Sequence, residues 1–268
     1  MKKIAVINDL SGFGKCSLSA ALPIISAHKI QCCPLPTGIF SNQTGYESFK
    51  SVSMTPYLRD FTAEWKKLGV SFDGILTGFI PDSVQGEIIL EFIDEFKSEN
   101  TLLAVDPIMG DDGEIYPCYD GESIAAVKTL AEKADLITPN VTELALLCGD
   151  SAGASYSVKD IETKCKTLGN KYIVVTGIEL ENGLLGNAVY DGGRFEIIKA
   201  KKLGLHFSGT GDIFSAFVTS ECVNGTDIFT AVQKASAFIE KAIELTDCDK
   251  NLHYNADGID FEQLICFV

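Results

Sequence analysis

Short apolar runs alternate with amphipathic helical patterns along most of this chain. The runs have the length of buried strands, whereas the patterns repeat apolar residues at spacings of three and four. The predicted strands are residues 4–7, 32–35, 74–77, 102–105, 136–138 and 172–175. The predicted helices are residues 18–27, a segment opened by Thr55-Pro56, 84–96, 124–134 and 158–168, the last capped by Ser157. This alternation predicts an α/β fold with a mainly parallel sheet between helix layers.

The last third of the chain departs from this alternation. Two apolar runs, 184–190 and 195–200, flank Asp191-Gly192-Gly193 and predict an antiparallel hairpin at one edge of the sheet. Beyond residue 209 the pattern is helical, and we expect helices almost to the C-terminus. The 268 residues contain no linker, repeat or low-complexity segment, so we predict a single domain over residues 1–268.

Charge and composition exclude several classes of function. A formal net charge of −15 argues against nucleic acid, because nucleic-acid binding requires basic patches. No apolar run is long enough to span a bilayer, and the N-terminus predicts a strand rather than a signal peptide. The nine cysteines have no C-x-x-C spacing and the three histidines no ligand spacing. We therefore expect free thiols in a reducing cytoplasm and no zinc site.

The segment 207–217 combines a loop containing two glycines with the start of a helix. Gly209 and Gly211 leave backbone N–H groups accessible, and the first helical turn adds the positive end of its dipole, so the segment suits an anion. Asp212 places a carboxylate beside this anion site. Phosphoryl transfer needs both features, since donors stabilise the transferred group and a carboxylate accepts the proton of the attacking hydroxyl. A simple helix cap is the alternative interpretation.

Other polar loops follow predicted strands, where open α/β sheets bind their ligands. Asp106 begins an acidic loop that suits Mg²⁺ and its waters, or a simple turn. Asn140 and Glu143 have the spacing of a capping pair. Thr176 precedes a glycine and suits contact with a nucleotide. Residues 40–46 mix aromatic rings with small polar groups, which suits a flat heteroaromatic ligand.

The loop after the first strand, residues 8–15, contains two glycines and ends in Lys15. It is not a P-loop, because the first glycine is missing at the required spacing and Cys16 follows the lysine. A substrate-binding loop and a plain strand–helix turn are equal alternatives for this segment.

Taken in chain order, four segments resemble the pyridoxal kinases of the ribokinase-like superfamily. They are Phe-Ser-Asn-Gln-Thr-Gly-Tyr at 40–46, Asp-Pro-Ile-Met-Gly-Asp at 106–111, Thr-Pro-Asn-Val-Thr-Glu-Leu at 138–144 and Gly-Thr-Gly-Asp at 209–212. The resemblance implies a three-layer α/β/α fold and phosphorylation of the 5′-hydroxymethyl group of pyridoxal and related B6 vitamers by Mg²⁺-ATP. It also suggests a homodimer and leaves open whether a monovalent cation takes part.

The resemblance further implies a role for each residue at a matching position. Asp212 would be the catalytic base, with Gly209, Thr210 and Gly211 completing the anion hole. ATP would be bound by Asp106, Thr138, Asn140, Glu143 and Thr176, and the metal by Asp106 and Glu143. The vitamer would contact Asp9, Phe40, Thr44, Gly45, Phe79 and Asp212.

Two positions depart from the family pattern. Asp9 stands where a serine usually contacts the ring, and Gln43 stands where histidine is common. If Asp9 meets the pyridine nitrogen, its carboxylate can only accept a hydrogen bond and favours the protonated ring. The alternative is that Asp9 caps the glycine-rich loop.

Two rival functions remain at this point. A hydroxymethylpyrimidine kinase of the same fold resembles this chain, but many such enzymes have cysteine where Asp212 stands, so the aspartate favours a pyridoxal kinase. The second rival is a non-catalytic vitamer-binding protein. Binding alone does not require Asp212, Asp106 and Glu143 together, which argues for an enzyme.

Overall fold

The centre of the protein is one large β-sheet, seen in a computed structural model that describes residues 1–201, 206–246 and 254–268. The strands are β1 (Lys3–Ser11), β2 (Gln31–Phe40), β3 (Ser51–Ser53), β4 (Gly74–Thr77), β5 (Leu102–Val105), β6 (Gly110–Asp111), β7 (Glu114–Ile115), β8 (Leu136–Ile137), β9 (Tyr172–Leu180), β10 (Leu184–Tyr190), β11 (Phe195–Lys201), β12 (His206–Phe207) and β13 (Tyr254–Asn255). The nine-stranded sheet has the order β11-β10-β9-β8-β5-β4-β1-β2-β3, and β6–β7 and β12–β13 form separate pairs.

The helices connect the strands of this sheet and cover both of its faces. They are α1 (Ser17–Ala27), α2 (Thr55–Lys67), α3 (Ser83–Phe96), α4 (Gly121–Lys133), α5 (Val141–Leu147), α6 (Val158–Leu168), α7 (Thr210–Asn224) and α8 (Ile228–Leu245), with 3₁₀ turns at Glu181–Gly183 and Glu262–Phe267. As predicted, Ser157 caps α6, and its hydroxyl accepts the backbone N–H of Asp160.

Strand β1 shows how the sequence produces three layers. Ile4 and Val6 belong to a core shared with α1, α7 and α8, while Ala5 and Ile7 belong to a second core with α2, α3, α4 and α6. Successive side chains of a strand point to opposite faces, so the apolar segment 4–7 of β1 must be covered on both sides. The predicted three-layer α/β/α fold is confirmed.

Pairing directions confirm the mainly parallel sheet and its antiparallel edge. Strands β2, β1, β4, β5, β8 and β9 run parallel, whereas β10 pairs antiparallel with β9 and with β11. The predicted hairpin is confirmed, and β11 extends one residue further than expected. The parallel strands end at one edge of the sheet, where the polar loops that follow them meet.

The prediction that the chain is helical almost to its C-terminus is wrong in part. Helix α8 ends at Leu245, and the last described residues form β13 and a 3₁₀ turn rather than a helix. Strand β13 pairs with β12, immediately before the Gly209 loop, so the C-terminal segment supports this loop. Residues 247–253 of the predicted helical region lie outside the described residues.

Composition led to two expectations, one about membrane-spanning segments and one about the state of the cysteines. None of the helices found there combines the length and the apolar character needed to cross a bilayer. Every cysteine in these residues is a free thiol. Burial raises the pKa of Cys16, Cys32, Cys165 and Cys222 to about 12, so these thiols are neutral at physiological pH.

Candidate active site

The predicted nucleotide-binding residues lie side by side at the carboxyl edge of the sheet. Asp106 directly follows β5, and Thr138 directly follows β8. Asn140 forms a parallel bridge with Thr176 of β9, whose backbone N–H donates to the Pro139 carbonyl at 2.9 Å. Residues that are up to 70 positions apart in sequence therefore converge, as the parallel topology requires.

Asp212 lies in the first turn of α7 and is half-buried. The side-chain amide of Asn8 donates to its Oδ1 at 2.9 Å. Burial and the nearby Asp9 carboxylate raise the pKa of Asp212 to about 6, although the Ser17 backbone and the Asn8 amide oppose this rise. The carboxylate is therefore ionised at neutral pH while remaining a better proton acceptor than an exposed aspartate.

The loop before Asp212 packs against backbone. Gly209 has φ +77°, and a Cβ atom there would lie 1.9 Å from the Lys15 carbonyl oxygen. Only glycine fits this position. The hydroxyl of Thr210 donates to the Phe207 carbonyl at 3.2 Å, which fixes the loop, and Gly211 has open space around its Cα. The N–H groups of this first turn suit an anion, as predicted.

Two buried carboxylates, Asp106 and Glu143, form the acidic part of the site. Burial and repulsion from Asp212 raise the pKa of Asp106 to about 8, while hydrogen bonds from Thr138 and Ser215 lower it. Burial and repulsion from Asp106 raise the pKa of Glu143 well above its ordinary value. Repulsion therefore links all three carboxylates electrostatically, which places Asp106, Glu143 and Asp212 in one site.

These carboxylates suit a divalent cation. Among the described residues, no lysine or arginine forms an ion pair with Asp106, Glu143 or Asp212. Carboxylate oxygens are hard ligands that Mg²⁺ prefers, and a bound cation would relieve the repulsion that raises both pKa values. The donor set therefore fits the predicted metal.

Asn140 and Glu143 form a capping box at the start of α5, as their spacing indicated. Asn140 Oδ1 accepts the Glu143 N–H at 2.8 Å, and Glu143 Oε2 accepts the Asn140 N–H at 2.8 Å. Glu143 Oε1 also accepts the Met109 N–H at 3.2 Å, and Asn140 Nδ2 donates to the Gly110 carbonyl at 2.8 Å. The capping interactions thus fix the loop that carries Asp106, and direct contact with ATP or metal stays a prediction.

The predicted ring pocket is aromatic. The Phe40 and Phe79 ring centroids are 6.3 Å apart, and the Phe79 backbone N–H donates to Asn8 Oδ1 at 2.9 Å. One side-chain amide, that of Asn8, therefore joins this pocket to Asp212. Thr44 and Gly45 lie in an exposed turn, where the Gly45 N–H donates to Gln43 Oε1 at 2.6 Å.

This turn borders an open cavity of ≈ 340 Å³. The cavity is lined by Phe13, Ser41, Asn42, Tyr46, Glu47 and Ser48. Gln43 Nε2 donates to the Ala256 carbonyl at 3.0 Å, and the Tyr46 hydroxyl donates to Asp257. The loop that follows β2 is therefore attached to the C-terminal segment, and the contact of Thr44 and Gly45 with a ring stays a prediction.

The structure directs the Asp9 carboxylate to the glycine-rich loop. Its oxygens accept the hydroxyls of Ser11 and Ser17 at 2.9 and 2.6 Å. These bonds match the capping alternative for Asp9, and contact with the ring stays a prediction. Burial, opposed by these bonds, raises the pKa of Asp9.

Lys15 pairs with Asp260 and, at 3.1 Å, with Glu262, which agrees with the rejection of a P-loop.

Sequence reasoning missed three side chains of the site, namely Asn8, Ser17 and Ser215. The position of Asn8 near the end of β1 was an available signal, because the ends of parallel strands carry ligands. It also missed that the fold places His206 beside Asp111 and Asp112, with ligand atoms within 4.8 Å of one another. This exposed group joins β12 to the loop after Asp106, and spacing along the chain does not reveal it.

Comparison with known proteins gives one family match and consistent neighbours. Residues 16–256 match the sequence model of the phosphomethylpyrimidine kinase family. The chain is 26% identical over 243 residues to a pyridoxal kinase PdxY of Leifsonia xyli subsp. xyli, covering 87% of this chain and 85% of that protein.

Solved structures agree over nearly the whole chain. A Bacteroides thetaiotaomicron protein assigned to the phosphomethylpyrimidine kinases, crystallised with pyridoxal, superposes with a TM-score of 0.92 at 32% identity, covering 99% of this chain and 94% of that one. An ADP complex of Bacillus subtilis pyridoxal kinase superposes with a TM-score of 0.77 at 25% identity, covering 92% and 94%.

Proposed function

Since the chain belongs to the phosphomethylpyrimidine kinase family and is a pyridoxal kinase of the ribokinase-like superfamily, we propose that Asp212 is the base of its reaction. The protein is a phosphotransferase that phosphorylates B6 vitamers on an alcohol group, with ATP as co-substrate. The single observation that supports the proposed base is the position of Asp212. It combines a pKa near neutrality with the exposed N–H groups of a helix start.

The proposed reaction uses these groups in one displacement. Asp212 accepts the proton of the 5′-hydroxymethyl group while that oxygen bonds to the γ-phosphorus of ATP. The bond from the γ-phosphorus to its bridging oxygen breaks, and ADP leaves. The N–H groups of residues 209–212 donate to the transferred oxygens, which carry the negative charge in the transition state. The products are the vitamer 5′-phosphate and ADP.

Asp106 and Glu143 would hold Mg²⁺ in this proposal. Bound Mg²⁺ supplies neutralisation of the phosphate charge during transfer. Thr138 orients Asp106 through its hydroxyl, which donates to Oδ1 at 3.2 Å. Thr176 lies inside β9, beyond the predicted end of that strand at residue 175, and pairs with Asn140, the N-cap residue of α5. Both residues would border the nucleotide.

The aromatic pair would hold the pyridine ring. Phe40 and Phe79 present apolar ring faces beside Asn8, which contacts Asp212. A flat heteroaromatic substrate stacks against such faces while its polar substituents meet the adjacent turn that contains Thr44 and Gly45. This arrangement would bring a 5′-hydroxymethyl group toward Asp212.

One incubation tests the substrate and the base together. Purified protein is mixed with Mg²⁺-ATP and with pyridoxal, pyridoxine, pyridoxamine, hydroxymethylpyrimidine or ribose, and products are identified by mass. We expect a gain of one phosphate on the B6 vitamers, and the Asp212→Asn variant serves as the control for contaminating kinases. Preferred phosphorylation of hydroxymethylpyrimidine would instead support the rival kinase, and vitamer binding without product would support the non-catalytic protein.

We also propose a homodimer, formed through the β3 edge of the sheet. Within the described part of the chain, β3 pairs with β2 alone and ends the strand order. Val52 on β3 is 61% exposed, and Tyr57 and Phe61 on α2 are 52% and 41% exposed. An exposed apolar edge of this kind pairs readily with a second copy. Light scattering should give twice the chain mass, and Val52→Lys should reduce it to the monomer; a monomeric wild type would contradict the proposal.

The reducing cytoplasm is the proposed location. It is supported by the free state of every cysteine among the described residues, including the adjacent Cys32 and Cys33. Thiol titration of the denatured protein under nitrogen, directly after lysis, should recover all nine thiols of the sequence. Recovery of seven or fewer would indicate a disulfide and an oxidising compartment.

A further inference from the structure

Three consecutive backbone carbonyls of the C-terminal segment each accept a hydrogen bond from a different loop of the site. The bonds run from the Ser208 N–H to the Asn255 carbonyl at 3.0 Å, from Gln43 Nε2 to the Ala256 carbonyl at 3.0 Å and from the Lys15 N–H to the Asp257 carbonyl at 3.3 Å. The donors belong to the loop before α7, the turn after β2 and the loop after β1. We call residues 255–257 the carbonyl junction, because they hold together three loops that lie far apart in the sequence.

Glycines let the backbones around the carbonyl junction approach closely. A Cβ atom at Gly258, which has φ +84°, would lie 3.1 Å from the Ser208 carbonyl oxygen and 2.9 Å from Lys15 Cβ. A Cβ atom at Gly14, which has φ +97°, would lie 2.8 Å from Gln43 Cγ. Both positions therefore require glycine. The junction is a packed contact as well as a set of three hydrogen bonds.

Gln43 contributes the one bond of the carbonyl junction that comes from a side chain. It is 5% exposed, whereas the other residues of 41–50 are half-buried or exposed. While Nε2 donates to Ala256, Oε1 accepts the Gly45 N–H at 2.6 Å, and the backbone N–H of Gln43 donates to the Phe13 carbonyl at 2.9 Å. Burial of an amide is costly unless it is hydrogen-bonded. These bonds therefore account for a buried glutamine in an otherwise exposed turn.

The turn that Gln43 fastens is the one proposed to meet the vitamer ring. Thr44 and Gly45 are exposed, so their position in the ring pocket depends on where the turn is held. The Tyr46 hydroxyl also donates to Asp257, but this bond is exposed and water competes with it. The buried amide of Gln43 is therefore the stronger attachment of the turn.

We infer that Gln43 is a positioning residue for the vitamer: it fastens the Thr44-Gly45 turn to the carbonyl junction and so sets the affinity of the ring pocket for pyridoxal. The inference rests on the proposed ring pocket. A turn that is ordered before the ligand arrives loses less conformational entropy on binding. The effect of Gln43 therefore falls on vitamer binding, whereas the proposed role of Asp212 concerns the chemical step.

Two substitutions of Gln43 remove the attachment in different ways. Gln43→Glu has nearly the same shape and keeps an acceptor for the Gly45 N–H, but its carboxylate cannot donate to the Ala256 carbonyl. Gln43→Leu removes both bonds. Because pyridoxal itself must then order the turn, we expect its Kd to rise about 5–20-fold in both variants, measured by calorimetry. The Kd of ATP and kcat at saturating pyridoxal should stay within about twofold of wild type.

Glu262→Gln is the matched control. It removes the ion pair of 3.1 Å between the C-terminal segment and Lys15 but leaves the carbonyl junction intact. We expect the wild-type Kd for pyridoxal in this variant. If Glu262→Gln weakens pyridoxal binding as much as the Gln43 variants do, any loosening of the C-terminal segment has the same effect and the inference is wrong. A wild-type pyridoxal Kd in Gln43→Glu would also overturn it.

Hydrogen exchange measures the attachment directly in the free protein. Peptides that cover residues 44–50 should exchange faster in both Gln43 variants than in wild type and in Glu262→Gln. Peptides that cover β4 should exchange at the wild-type rate, which verifies that the sheet is folded. Wild-type exchange at 44–50 in the Gln43 variants would show that other contacts hold the turn. Faster exchange of β4 as well would assign Gln43 to the stability of the whole fold, and either result would overturn the inference.

Calorimetry also separates this inference from the proposed function, because pyridoxal binding requires no turnover. A wild type that binds pyridoxal but forms no product would overturn the proposed reaction, and the same titrations would still decide the role of Gln43. A wild type that does not bind pyridoxal would overturn both. Thr44→Ala tests the proposed ring contact itself. Weaker pyridoxal binding in Thr44→Ala, combined with wild-type binding in both Gln43 variants, would overturn only the positioning role.

Discussion

The two sides of the site hold their carboxylates in different ways. On the α7 side, Asp212 accepts a hydrogen bond from the Asn8 side chain, and its pKa lies at about 6. On the α5 side, burial and mutual repulsion dominate, so the pKa of Asp106 reaches about 8. The first environment keeps a base ionised at neutral pH, whereas the second favours protonated carboxyls that a bound cation would convert to the ionised form.

The largest expected effect is the loss of kcat when Asp212, on the α7 side, is replaced. Asp212→Asn keeps the shape of the side chain but removes the proton acceptor. Because a positioned general base contributes about 10²–10⁴-fold, kcat should fall by that factor while ATP affinity changes little. Steady-state kinetics with calorimetric ATP titration measure both quantities. Turnover within about threefold of wild type would assign the base to another group.

The next prediction tests the α5 side. Glu143→Ala should raise the Mg²⁺ concentration needed for half-maximal activity and weaken ATP binding by about 10–100-fold, with pyridoxal binding nearly intact. The control Asn140→Ala removes the capping partner but retains the Glu143 carboxylate. If both variants lose metal affinity equally, Glu143 acts only as a helix cap.

A smaller effect is expected in the ring pocket, which the Asn8 side chain joins to Asp212. Phe40→Leu removes the aromatic contact with Phe79 but keeps an apolar side chain. Aromatic pairs contribute about 0.5–1.5 kcal/mol beyond burial, so the pyridoxal KM should rise about 2–10-fold. The KM for ATP is the internal control. An equal rise in both KM values would mean that the variant disturbs the sheet edge rather than the pocket.

The smallest expected effect concerns stability without metal. The pKa of Asp106 is raised in the folded protein, so the wild type loses stability as the pH rises from about 4 to 8, whereas asparagine is neutral throughout. Asp106→Asn should therefore raise the Tm by about 2–8 °C at pH 8 and by less at pH 5. Mg²⁺-ATP should remove this advantage by stabilising the wild type.

Differential scanning fluorimetry in chelator at both pH values provides this comparison. Asp60→Asn, which replaces an exposed carboxylate on α2, is the matched control and should leave the Tm unchanged at both. A lower Tm for Asp106→Asn at pH 8 would show that other groups of the protein already stabilise the ionised Asp106 carboxylate.

Sequence patterns predicted the scaffold more fully than the contacts within the site. Strand β4 was predicted to the residue, and Asp212 was correctly placed at a helix start, because periodicity and glycine position are local properties. Sequence patterns could not predict the direction of the Asp9 carboxylate or the φ of Ser17. Both depend on side chains that meet only after the sheet has assembled, and no local pattern encodes them.

Very short elements were missed for a related reason. Strands β6 and β7 have two residues each and, among the residues that the structure describes, pair only with each other, so neither gives a period-2 signal. The same holds for β12 and β13, whose pairing joins the C-terminal segment to the Gly209 loop. Their pairing is set by the tertiary position of the loops, which explains why a continuous helical C-terminus was expected instead.

The close fit of Gly209 against the Lys15 carbonyl has a consequence for the variation open to this chain. With a Cβ atom only 1.9 Å from that oxygen, any side chain at 209 would displace the backbone that leads into Ser17. A substitution at 209 could therefore persist only together with a rearrangement of residues 15–17. Residues 15–17 and the Gly209 loop must therefore change together. In a library that randomises both loops, we expect every folded variant to carry changes in both of them or in neither.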